Sequence, residues 1–73
     1  MKIIYDSETD TLSLLLREDS VSDSDELQEG IIVDYDREGA ILGFELLDAS
    51  RYISEPQSIV YQLRGRLTPA PRP

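Results

Sequence analysis

Along most of this chain apolar and polar residues alternate with a period of two, not with the 3.6-residue period of a helix. Lys2 to Asp6 reads as a strand with Ile3 and Tyr5 on one face. Ser7-Glu8-Thr9-Asp10 is a polar turn, and Thr11 to Leu16 returns as a strand with Leu12, Leu14 and Leu16 in register, which makes a β-hairpin. Arg17 to Glu29 changes character. It is built of acids and serines with Val21 and Leu27 as its apolar anchors, and reads as a charged surface connection with room for a short edge strand near Glu26-Leu27. A second hairpin follows Gly30: Ile31, Val33 and Tyr35 point one way, Asp36-Arg37-Glu38-Gly39 turns the chain, and Ala40, Leu42, Phe44 and Leu46 come back on the same face. Gly39 sits where the turn calls for a positive φ, which a residue with a Cβ resists. Phe44 is expected at the centre of the core.

The opposite faces of these strands carry Ile4, Leu15, Ile32, Ile41 and Leu47 among Lys2, Ser13, Asp34 and Glu45. About one large aliphatic per strand predicts cover, either by the C-terminal segment or by a second copy of the chain in a homodimer. These five residues are the candidate interface. After Leu47 the alternation stops, and Asp48 is suited to cap one or two helical turns over Ala49 to Ile53. Residues 56–64 are ambiguous. Ile59, Tyr61 and Leu63 would share one face of a fifth strand, while Ser54 with Gln57 and the four-residue spacing of Ile59, Leu63 and Leu67 fit a helix ended by Gly65; the strand is preferred. The expected architecture is mainly β (α+β): a small antiparallel sheet of two hairpins, a short helical turn after Asp48, and a fifth C-terminal strand. Residues 1–64 make one domain, and 65–73 a basic, Pro-rich disordered tail.

Composition narrows the chemistry. The 73 residues include 15 acids against 7 bases, with no His and no Cys, and a net charge of −8. There is no thiolate nucleophile, no imidazole base and no zinc-finger ligand set. Such a negative chain is a poor partner for nucleic acid, whose binding rests on Lys and Arg releasing counterions. The apolar runs Leu14-Leu15-Leu16 and Ile31-Ile32-Val33 are far shorter than a membrane span of about 20 residues, and an acid already at Asp6 interrupts any signal-peptide core. A cytoplasmic protein without membrane contact is expected.

Tyr5-Asp6, the run Gly30 to Asp36, Gly39 with Gly43, and Glu45-Leu46-Leu47-Asp48-Ala49-Ser50 together resemble the family catalogued as domain of unknown function 2283. The resemblance covers roughly residues 1 to 55, and Glu55 to Tyr61 is similar to an ending found in part of that family. It implies a small bacterial or archaeal protein with no established biochemical activity. Some members are suspected of belonging to two-gene modules of the toxin–antitoxin kind.

From Asp34, acids at the first, third and fifth positions, Gly39 at the sixth and Glu45 at the twelfth come within one substitution of a calcium-loop pattern. An EF-hand loop joins two helices, however, and here strands lead in and out, so the acids should not converge on one ion. Asp6 to Asp10 begins in a similar way but has Thr11 where glycine is needed. Asp23, Asp25 and Glu26 read as a solvated run. No catalytic residue, cofactor site or metal site is expected, and the chain does not read as an enzyme. The favoured reading is an acidic protein-interaction module, antitoxin-like in binding a basic protein. The alternatives are a structural homo-oligomer without a separate ligand and, last, a weak calcium binder.

Overall fold

The computed structural model describes residues 1–66. Five strands, β1 (Lys2–Asp6), β2 (Thr11–Leu15), β3 (Asp23–Gln28), β4 (Ile31–Tyr35) and β5 (Ile41–Leu46), form one antiparallel sheet, and a 3-10 turn spans Ala49–Arg51. The strand order is β1-β2-β5-β4-β3, which leaves β1 and β3 at the edges. Both expected hairpins are present, β1 with β2 and β4 with β5.

Local chemistry accounts for the turns. Asp6 Oδ1 accepts the backbone N–H groups of Glu8 (2.9 Å) and Thr9 (3.4 Å), an Asx turn that starts the first reversal. Asp10 completes it at φ 55°, a conformation that Asp tolerates better than most residues. In the β4–β5 turn the Asp36 N–H donates to Ala40 O (2.9 Å) and the Gly39 N–H to Asp36 O (3.0 Å). Gly39 has φ 83°, as its place in the turn predicts.

The pairing sorts side chains as the alternation implied. Ile3, Leu14, Phe44 and Val33 make one cross-strand row, and Tyr5, Leu12, Leu46 and Ile31 the next on the same face. The deepest residues are Leu42 (0 % exposed), Val33 (2 %) and Ala49. Phe44, expected at the centre, is only half-buried. A single sheet has no opposing sheet to close over a large ring, and only smaller side chains disappear completely. Leu42 gains further from the β-bulge opposite Asp34 and Tyr35, where β5 carries one extra residue.

Two expectations are corrected. The fifth strand is β3, not residues 56–64, which carry no helix or strand. Strand propensity reflects fit to a pleated, half-buried surface and is readily overridden by tertiary context; β3, acidic as it is, pairs with β4, since an edge strand needs only one partner and can turn its charges to water. Asp48 does not cap: it is left-handed at φ 51° and makes no side-chain cap bond. The short helical turn expected after Asp48 is present, as a 3-10 turn over Ala49–Arg51 with the Ile53 N–H donating to Ala49 O at 2.9 Å. The expected basic tail lies, from residue 67 on, outside the described residues.

Leu42→Ala should cost about 2–5 kcal/mol, the range for a buried leucine. Ile41→Ala, at a position 43 % exposed, should cost much less. Urea unfolding of the two variants checks the order, and the reverse order would mean that β5 faces the other way.

Candidate functional site

On the second face of the sheet, Ile4, Ser13, Glu45, Ile32 and Glu26 form one cross-strand row. Lys2, Leu15, Gly43, Asp34 and Ser24 form the row beside it. Three candidate interface residues, Ile4, Leu15 and Ile32, are thus brought onto one face. Ile41 lies apart at the bulge, paired with Tyr35, and Leu47 lies past the end of β5, its N–H donating to Gly30 O (2.8 Å). Ile4 and Ile41 are exposed, and Leu15, Ile32 and Leu47 half-buried.

The aliphatics on this face surround an acid pair that sequence reasoning left unpaired. Asp34 is buried, and its Oδ1 accepts the Ser24 hydroxyl at 2.6 Å. Glu45 stands diagonally across from it. Burial, and then the bond and negative charge of Asp34, push the Glu45 carboxyl above its ordinary pKa. The signal was available in principle: Asp34 and Glu45 share the face parity of Ile32, and the β4–β5 register brings them together. Gly43, between Leu15 and Asp34, has no room for a side chain, since a Cβ would collide with the Leu14 carbonyl of β2.

Asp36, the other buried acid, is engaged differently. Its Oδ1 accepts the N–H groups of Glu38 and Ala40, each at 2.9 Å, and its Oδ2 pairs with the Arg17 guanidinium, which also donates to Ile41 O (3.0 Å). The Ala40 N–H first, with Arg17 and the Glu38 N–H, holds the Asp36 carboxyl below its usual pKa. The calcium-like spacing from Asp34 to Glu45 is therefore divided between a sheet face and a turn. Among the described residues no three acidic, His or Cys side chains gather into a group that could hold a metal ion.

A third cluster joins the first turn to the 3-10 segment. The Asp10 carboxylate accepts the hydroxyls of Tyr5 (2.7 Å) and Ser50 (2.5 Å) and the Ser50 N–H (3.2 Å), while Asp10 O accepts the Ala49 N–H (2.8 Å). Asp10 thus serves the end of this segment as Asp48 was expected to. The Ser50 hydroxyl first, and then that of Tyr5, lowers the Asp10 pKa.

The largest exposed features lie elsewhere. All six residues of β3 are exposed, Asp23, Asp25 and Glu26 among them. Ile59, Val60, Tyr61 and Leu63 are exposed in the irregular stretch after Pro56. An open depression of about 390 Å³ is lined by Asp19 to Ser22 and Arg37. No helix among the described residues is long and apolar enough to cross a membrane.

These features define a small single-sheet β domain with acids worked into its turns and one of its faces. The chain belongs to the family described as protein of unknown function (DUF2283), whose model matches residues 2–50. That span takes in all five strands and reaches Ser50 of the Asp10 cluster. No curated protein and no solved structure matches the chain.

Two pH effects of opposite sign should follow. The lowered Asp10 pKa means that its stabilisation is present above the unfolded carboxylate value of about 3.9 and is lost as the pH falls through the lower folded value. Ser50→Ala should therefore lower the melting temperature at neutral pH, with the difference from wild type shrinking toward about pH 2. Glu45 behaves conversely. Its raised pKa means that ionisation destabilises the fold as the pH rises from about 4.3 through the folded value, so Glu45→Gln should raise the melting temperature at pH 7 and lose that gain in acid. Thermal melts across pH check both.

Proposed function

We propose that the chain is an acidic protein-interaction module, not an enzyme, and that β3 is where a basic partner docks, as an antitoxin-like protein would hold a basic protein. The observation that carries this reading is an open sheet edge made of acids. Asp23–Gln28 uses one side of its backbone for β4, while among the described residues no strand pairs with the other side, which could add one, and the acids along it would select Lys- or Arg-rich sequence. The net charge of −8 would steer such a partner toward the domain from a distance. The absence of His and Cys from the chain supports the non-enzymatic part.

The test is a titration with a Lys- and Arg-rich β-forming peptide, followed by backbone NMR. Shifts confined to Ser22 to Glu29 are expected, with affinity falling steeply as salt rises. Asp25→Lys and Glu26→Lys should each weaken binding several-fold. Unmoved β3 amides, or binding indifferent to salt, would refute the reading. Co-expression with a basic protein encoded next to this one extends the test to a whole partner.

A further inference from the structure

We propose that β1 pairs edge to edge with β1 of a second copy of this chain, joining two five-stranded sheets into one continuous sheet. The contact is separate from the acidic edge and holds whether or not that edge takes a basic segment. The two edges of the sheet differ in kind. Along β3 the acids Asp23, Asp25 and Glu26 would oppose one another if two copies met there, the usual way in which an edge is guarded against self-pairing. β1 has no such guard. It carries no proline and no bulge, and Ile3 (41 % exposed) and Ile4 (48 %) leave apolar surface on both faces of the strand. Among the described residues its backbone pairs with β2 alone, so the outward N–H and C=O groups have no backbone partner.

The strand is also complementary to itself. In an antiparallel pair, residues opposite one another must present their backbone groups in the same sense, so a strand meets its own copy across a residue and not between two. The register centred on Ile4 is the one that pairs all of Lys2–Asp6. It sets Ile4 against the second copy's Ile4, Ile3 against its Tyr5, and Lys2 against its Asp6, the last two contacts occurring twice by symmetry. Opposite charges therefore meet at both ends of the ladder and apolar residues along its middle. A shift to centre on Ile3 or Tyr5 leaves an end unpaired and brings Lys2 or Asp6 opposite Ile4. Ile4 was among the interface residues expected from sequence, but this contact uses the strand edge rather than the face that carries Leu15 and Ile32.

Sedimentation equilibrium of the full chain tests this at about 0.15 M salt, where a Debye length of about 8 Å screens the mutual repulsion of two negative chains. A mass of twice the chain is expected at tens to hundreds of micromolar. Ile4→Lys should return the single-chain mass, with circular dichroism confirming that the sheet survives. The chain has no cysteine, so Ile4→Cys should form a disulfide-linked dimer under mild oxidation, whereas Asp25→Cys on the other edge should not. Lys2→Glu should weaken the dimer by setting acid against Asp6. A single-chain mass for wild type at every concentration overturns the proposal, as does a dimer untouched by Ile4→Lys. A dimer that is lost in Ile59→Asp while Ile4→Cys fails to cross-link also overturns it, and would name the stretch after Pro56 as the docking strand instead.

Discussion

The sheet depends on the pairing of β2 with β5. Every other strand pair is a hairpin or joins sequence neighbours, and so forms at small cost in loop entropy. β2 and β5 are separated by a long intervening stretch, yet their register, Leu12 with Leu46 and Leu14 with Phe44, turns two small ribbons into one sheet with a shared apolar face. An isolated hairpin is marginal in water, whereas several strands with a common hydrophobic face are not. Gly43 is where this joint is tightest: β5 comes so close to the Leu14 carbonyl that no Cβ fits between them. Arg17 reinforces the same seam, reaching from the end of β2 to Ile41 O and to Asp36.

Around that seam the acids take up different tasks. Asp6, Asp10 and Asp36 spend their oxygens on backbone N–H groups and hydroxyls at turns, where a short carboxylate does what no apolar residue can. The Asp10 cluster holds the segment after β5 against the first hairpin, on the opposite side of the sequence. Asp34 and Glu45 work the other way. Two carboxyl groups together on a partly buried face raise the energy of the ionised sheet, and the Ser24 hydroxyl offsets only part of that cost by its bond to Asp34. Along β3, Asp23 likewise accepts the Ser24 N–H, and all six residues of the strand are exposed.

Length restricts what such a domain can bury. Among the described residues the deepest are Leu42, Val33 and Ala49, and the aromatic ring at the sheet centre stays half-exposed. Small single-layer folds bury a modest share of their chain surface, so exposed strand edges and aliphatics carry more consequence here than they would on a larger protein. The two edges divide that consequence by chemistry: one repels its own kind and the other matches it.

Alternation along the chain was sufficient to read β1, β2, β4 and β5, their two hairpins, the common face of Val33, Leu42 and Phe44, and the positive φ of Gly39. These are local properties, because side-chain period and turn chemistry act over a few residues. The family resemblance over roughly residues 1 to 55 was legible for the same reason, its motifs lying in those turns and strands. A short edge strand near Glu26-Leu27 was legible as well, but not that β3 would span Asp23–Gln28 while 56–64 formed no strand. Asp23–Gln28 has little strand propensity and 56–64 has more, yet it is Asp23–Gln28 that pairs with β4, and that is decided by tertiary packing. The capping of the 3-10 turn by Asp10 instead of Asp48, the meeting of Asp34 with Glu45, and the exclusion of a side chain at Gly43 all join residues far apart in sequence or on different strands. Each depends on cross-strand register, which no single segment carries, and so only the tertiary structure decided them.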